Sequence, residues 1–125
     1  MATKKKTKKS KLQLVKGMKD ILPDEQKYWD LIRDKVDNFA HNYGFSRIDT
    51  PIVESTNLFK RSVGEDTDIV SKEMFSFETP GKDKVSLRPE GTAGVVRSYI
   101  EHGMLNMPQP VKLFYMGPNF RYDKP

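Results

Sequence analysis

Tyr28, Ile32, Val36, Phe39 and Tyr43 recur at spacings of four, four, three and four, the repeat that gathers side chains on one face of an α-helix. Pro23 suits the first helical position, Asp24 and Glu25 suit the first turn, and Gly44 suits the stop. The stripe, with Trp29 and Ala40 near its edge, is expected to be core or interface, and His41 near the helix end is expected to be structural. From Phe45 to Val53 the residues favour a strand, but Pro51 cannot donate to a ladder. That strand is expected at an edge or a bend, where a second subunit could meet it. Glu54 to Lys72 carries no clear repeat and reads as a long irregular segment.

Alternation resumes in Met74–Thr79 and Lys84–Arg88, around Pro80-Gly81-Lys82-Asp83, and predicts a β-hairpin. A helix is expected from Thr92 to about His102, ended by Gly103; His102 in its last turn reads as a dipole partner. Beyond Pro108 and Pro110, Val111–Met116 predicts a strand long enough to be buried on both faces. Arg121 follows Phe120 in what reads as a strand continuing past a bend.

Charge changes this picture at one end only. The net charge of +5 suggests a nucleic-acid binder, but residues 1–19 hold eight lysines and no acid, leaving 14 basic against 17 acidic residues in 20–125. The basic excess is a tail, residues 1–16, expected to be disordered. It lacks the apolar stretch of a signal peptide and the arginine-rich character of a mitochondrial presequence. Contact with RNA phosphates is one reading of it, and a solvated arm is the other. No apolar run approaches the roughly 18 residues of a membrane span. With no cysteine there is no disulfide and no thiolate site, as fits a reducing compartment; a cytoplasmic location is expected. The acidic run Glu65-Asp66-Thr67-Asp68 matches no calcium-loop spacing, reads as solvated loop, and no metal site is expected.

Candidate chemistry gathers at Leu87–Arg97, LRPEGTAGVVR. A strand ends there and a helix begins, with Pro89 and Gly91 shaping the turn and Thr92 placed to cap. Helix N-termini favour negative charge, so Glu90 could accept charge-assisted hydrogen bonds from a bound ammonium group. A capping turn whose Glu90 serves only the helix dipole is the simpler reading of these residues alone. Likewise, Arg121 near Asp123 reads by itself as a surface ion pair.

The stretches Gly17–Pro23 with Trp29, GFSRIDTP at 44–51, RSVGEDTDIVSKEMFSF at 61–77, LRPEGTAGVVR at 87–97 and YMGPNFRYDKP at 115–125 resemble, in order and spacing, the N-terminal part of a histidyl-tRNA synthetase. The resemblance covers the chain from about Gly17. It implies an α+β fold, a class II synthetase-like antiparallel sheet flanked by helices, incomplete in this chain, and a homodimer. Residues 17–125 would be the N-terminal part of the catalytic domain. Gly44–Pro51 is similar to motif 1, which builds the dimer interface, and Phe120-Arg121 resembles the opening of motif 2.

The resemblance further implies that Glu90 and Thr92 receive the α-ammonium of histidine and that Arg121 contacts the α-phosphate of ATP. The implied reaction makes histidyl-adenylate from histidine and ATP, with Mg²⁺, and then charges tRNA-His. Two anions must be held together while charge on phosphorus is stabilised, a task that a planar guanidinium serves better than lysine. Asp123 stands where the family commonly has glutamate, on the adenine side, one methylene shorter. Motif 3 and the anticodon-binding domain lie outside these residues, so this polypeptide alone is expected not to catalyse. Two alternatives compete. One is a non-catalytic synthetase-like paralogue, such as the regulatory subunit of ATP phosphoribosyltransferase, which has no need for Glu90, Thr92 and Arg121 together. The other is an RNA-binding module built on the lysine arm, for which residues 20–125 offer no second basic face.

Overall fold

Helix α1, Pro23–Asn42, opens on an acidic turn in a computed structural model of the chain that describes residues 12–64, 67, 69 and 73–123. The described residues belong to two units, 1–35 and 36–125, and α1 runs from the first into the second. Residues 1–11 of the lysine-rich tail and 65, 66 and 68 of the acidic run lie outside the described residues. In the first unit the Leu22 amide donates to Glu25 Oε2 at 3.4 Å, and Lys19 Nζ donates to Glu25 Oε1 at 2.7 Å. The side chain three residues into the helix thus reaches back to its start, as in a capping box. The Lys19 ammonium, with the Leu22 amide, holds the Glu25 carboxyl below the usual carboxylate range.

In the second unit α1 ends as expected. Gly44 takes φ +75°, a left-handed conformation open to glycine, and the Phe45 amide turns back to the Ala40 carbonyl at 2.9 Å. Of the helix only Ala40 is buried, whereas Phe39 and Tyr43 are 66% and 60% exposed. The aromatic stripe is therefore not core in this chain. His41 is structural: its Nδ1 lies 2.7 Å from the Asp37 carbonyl, which can only accept, and its ring meets Phe114 edge-on.

The stretch expected as one bent strand divides into two. Strand β1, Ser46–Arg47, and strand β2, Val53–Ser55, flank Pro51 and enter different sheets, because a proline between them cannot extend either ladder. Strand β2 pairs antiparallel with β4, Lys84–Leu87, which pairs antiparallel with β3, Ser76–Glu78, in the order β2-β4-β3. The hairpin β3–β4 is the one expected. Its loop closes through the Thr79 amide to the Asp83 carbonyl at 3.0 Å, and Lys82 takes φ +66°. Strand β1 pairs in parallel with β5, Leu113–Phe114, with Ser46 opposite Leu113. Val111–Met116 is thus a shorter strand than expected, and Leu113 and Phe114 are half-buried because β1 is the only partner among the described residues.

The segment expected to be irregular contains helix α2, Thr56–Val63, which packs on β4 and on α3, Thr92–Glu101. Its fully buried Phe59 holds it there. A helix this short offers too few apolar positions for its period to be read. The face of the sheet beneath it is polar: Glu54, Ser86 and Ser76 lie in register across β2, β4 and β3. Ser86 is fully buried and its hydroxyl lies 2.9 Å from Thr56 Oγ1 and 2.7 Å from Ser76 Oγ, so these buried hydroxyls satisfy one another. Val53, Leu87, Val85 and Phe77, with Ser55 opposite Val85, form the opposite, mainly apolar face, where Phe77 is 49% exposed.

Phe59→Ala is expected to destabilise the second unit by about 3–5 kcal/mol. A urea unfolding midpoint equal to that of the parent chain would show that α2 is not anchored through this ring.

Candidate functional site

Strand β4 ends at Leu87 and α3 begins at Thr92, so the turn Arg88–Gly91 carries the chain across one end of the sheet. The cap position is Gly91, which makes no side-chain cap bond; capping falls to the residue before it. Glu90 Oε2 accepts from the Thr92 amide at 2.6 Å and Oε1 from the Ala93 amide at 2.9 Å. The expectation that Thr92 caps is thereby corrected: Glu90 fills the orphan donors of the first turn, and the Thr92 hydroxyl is released to the surface. It lies 3.2 Å from Tyr115 Oη.

The segment after β5 returns to this turn. The Phe120 amide donates to the Arg88 carbonyl at 2.9 Å and the Tyr122 amide to the Glu73 carbonyl at 2.8 Å. Alternate amides are thus bonded, as along a strand edge. Arg121 lies between them, and its Nε donates to the Pro89 carbonyl at 2.9 Å. Its two terminal nitrogens make no hydrogen bond among the described residues, and the side chain is exposed. A guanidinium fixed through Nε still presents two donors in one plane. Arg121 is thus joined, through the Pro89 carbonyl, to the turn that carries Glu90 and Thr92. Asp123 is exposed, and no hydrogen bond or ion pair among the described residues ties it to them.

Two residues that hold this arrangement were not singled out from the sequence. Arg88 is buried, 7% exposed, with Nε donating to the Pro118 carbonyl at 2.9 Å and Nη1 to the Thr50 carbonyl at 3.1 Å and Thr50 Oγ1 at 3.3 Å. A Cβ at Gly117 would come within 2.5 Å of Arg88 Nη2, so a side chain there would require that end of the guanidinium to shift. Tyr115 lies over Gly91, where a Cβ would come within 2.2 Å of its ring. An arginine among alternating strand residues next to a proline was the available signal for Arg88. Tyr115, inside an apolar run, offered none.

A separate ion pair braces α3. Arg97 Nη2 lies 2.7 Å from Glu54 Oε1 and Nη1 2.5 Å from Glu101 Oε2. The Glu54 carboxylate, then Glu101, raises the Arg97 pKa. These residues line a groove of about 730 Å³ with Leu58, Val96 and Ile100. It shares no lining residue with the Glu90–Arg121 cluster. Among the described residues no group of three or more His, Cys, Asp or Glu side chains could hold a metal ion. Chemically, the cluster offers carboxylate and hydroxyl acceptors for a cation beside guanidinium donors for an anion.

Comparison with known proteins gives these residues a context. The family model for histidyl-tRNA synthetase matches residues 17–125. A histidine–tRNA ligase of Dehalococcoides mccartyi is 55% identical over 113 residues, which is 90% of this chain and 27% of that protein. The structure of apo Staphylococcus aureus histidyl-tRNA synthetase superposes with TM-score 0.78 at 44% identity, covering 90% of this chain and 30% of that one. A Bacillus halodurans protein described as an ATP phosphoribosyltransferase regulatory subunit/histidyl-tRNA synthetase superposes with TM-score 0.74 at 24% identity, over 91% of this chain and 29% of that one; that likeness shows the fold alone. The chain spans about 27% of the length of the curated relatives it matches.

Arg88→Met is expected to remove the donors to the Thr50 and Pro118 carbonyls and to destabilise the second unit by about 1–3 kcal/mol, chiefly through Thr50, since Pro118 is exposed. Hydrogen exchange at the Phe120 amide should accelerate along with the loss of stability. An unchanged unfolding midpoint with undiminished protection of that amide would remove Arg88 from this supporting role.

Proposed function

The chain belongs to the histidyl-tRNA synthetase family, and from that premise we propose that it is the N-terminal part of the catalytic domain of a histidine–tRNA ligase. Its catalytic-domain portion is 17–125, preceded by the lysine-rich segment 1–16. The observation that carries the reading is the Arg121 Nε bond to the Pro89 carbonyl at 2.9 Å. It holds a guanidinium, whose terminal nitrogens make no hydrogen bond among the described residues, one residue from Glu90, at the mouth of α3. Relatives 50–55% identical that are histidine–tRNA ligases favour this over a regulatory paralogue, whose likeness extends to fold.

Histidine carries an ammonium and a carboxylate on one carbon, and ATP carries the phosphate to be attacked. Glu90 Oε1 and Oε2 each spend one lone pair on an α3 amide, leaving others for the ammonium. The Thr92 hydroxyl adds a further acceptor. Arg121 then binds the α-phosphate, whose charge rises as the histidine carboxylate attacks and pyrophosphate leaves. Binding both substrates side by side supplies most of what the step requires, and the tRNA terminal hydroxyl next takes the histidyl group from the adenylate. No covalent enzyme intermediate is involved. Asp123 serves the adenine side. Mg²⁺ bound with ATP would help to neutralise the charge of its phosphates.

Histidine, ATP and tRNA-His are thus the proposed partners, in the cytoplasm. No helix among the described residues is long and apolar enough to cross a membrane. The proposed assembly is a homodimer through residues 44–51 and the neighbouring helix. Its support is the exposed Phe39 and Tyr43, together with β1, which has only β5 beside it among the described residues.

Arg121→Ala in the full-length ligase is expected to lower histidine-dependent ATP–pyrophosphate exchange by at least about 100-fold while the thermal midpoint stays within a few degrees. Exchange at parental rates would exclude Arg121 from the phosphate site. Glu90→Gln keeps an acceptor for one α3 amide but loses the charge, and the KM for histidine should rise at least about tenfold with that for ATP little changed. Equal loss of both substrates would mean that Glu90 acts only as a cap.

A further inference from the structure

Thr92 Oγ1 and Tyr115 Oη lie 3.2 Å apart, and the ring of Tyr115 fills the space above Gly91 that a Cβ would need. Gly91 is buried, while Thr92 is exposed at the end of α3. The backbone there is held from both sides, by Glu90 on the Thr92 and Ala93 amides and by Tyr115 over Gly91. This is a fixed contact between a phenol and a hydroxyl at the mouth of the proposed ammonium site.

The donor arithmetic gives that contact a direction. An ammonium has three protons and no acceptor, and a threonine hydroxyl has one proton and two lone pairs. If the hydroxyl proton points at the cation, the contact is repulsive. For Thr92 to accept from an ammonium, its own proton must be delivered elsewhere, and Tyr115 Oη is the acceptor within reach. We propose that Tyr115 is a positioning residue for the amino-acid substrate: it accepts the Thr92 hydroxyl proton and so turns the Thr92 lone pairs toward the α-ammonium. The proposal rests on the ligase reading above. It also explains glycine at 91, since any side chain there would displace the ring that receives the proton.

The test uses the full-length ligase and four proteins: parent, Tyr115→Phe, Thr92→Val and the double variant. Tyr115→Phe is expected to raise the KM for histidine about fivefold, the worth of one ordinary hydrogen bond, with the KM for ATP within about twofold of the parent. Once Thr92 is valine, adding Tyr115→Phe should cost less than about twofold. Two inhibitors separate orientation from packing. Histidinol, which keeps the ammonium, should lose about fivefold in Tyr115→Phe, whereas 3-imidazolylpropionate, which lacks it, should bind as before. Additive losses, equal losses for both inhibitors, or an unchanged KM for histidine would overturn the proposal. If the parent showed no histidine-dependent exchange, the ligase reading itself would fall and take this assignment with it. Exchange in the parent with an indifferent Tyr115→Phe would overturn the assignment alone.

Discussion

The buried guanidinium of Arg88 is the constraint on which the described site depends. A charged group is costly to remove from water unless hydrogen bonds replace its hydration, and Arg88 finds those partners in the Thr50 carbonyl, the Thr50 hydroxyl and the Pro118 carbonyl. Those partners lie in chain segments remote in sequence from β4. Its backbone completes the tie, with its amide donating to Ile52 and its carbonyl accepting from Phe120. One residue thus fastens the approach to β2, the end of β4 and the segment after β5. The position of Arg121 follows from that fastening, because Phe120, bonded to Arg88, delivers the next side chain to the Pro89 carbonyl.

A second consequence concerns which side of the sheet is covered. Helix α2 lies over a polar row, Glu54, Ser86 and Ser76, rather than over the row of Val53, Leu87, Val85 and Phe77, and α3 joins that polar row through Arg97 on Glu54. That packing is stable only because every polar group in it is matched. Ser86 shares its hydroxyl with Thr56 and Ser76, and Glu54 meets Arg97. Polar networks of this kind specify an arrangement more sharply than apolar contact does, since a small displacement leaves a buried group without a partner. Phe59 supplies the apolar anchor, and the hydroxyls and the ion pair set the register in which α2 and α3 sit.

Much of the fold was legible where a repeat was long or a turn residue was compulsory. Helix α1 followed from five apolar positions and two punctuating residues, the β3–β4 hairpin from alternation around a Pro-Gly turn, and α3 from its junction and Gly103. Helix α2 was not legible because its single decisive side chain, Phe59, has no periodic partner that a pattern could reveal. The division of 45–53 into two strands was half legible: Pro51 announced an interruption, but parallel pairing of β1 with β5 is a contact across more than sixty residues. Glu90, Thr92 and Arg121, the residues of the proposed site, were singled out from motifs. Arg88 and Tyr115 were not, because what they do is defined by the carbonyls and the glycine they meet in space.

The cap that Glu90 forms and the substrate contact proposed for it are compatible within one arrangement. A carboxylate that accepts one amide at each oxygen is fixed in orientation, and such fixing is what a binding group needs, since no free energy is then spent on ordering it when the ligand arrives. Capping uses one lone pair per oxygen and leaves the outward ones unspent. The same bonds that satisfy the first turn of α3 therefore aim Glu90 beside Thr92, and Pro89 carries that orientation to Arg121 through its carbonyl. Removing the cap would leave the acceptors present but free to rotate, so the binding proposed at this junction depends on the helix as closely as the helix depends on the carboxylate.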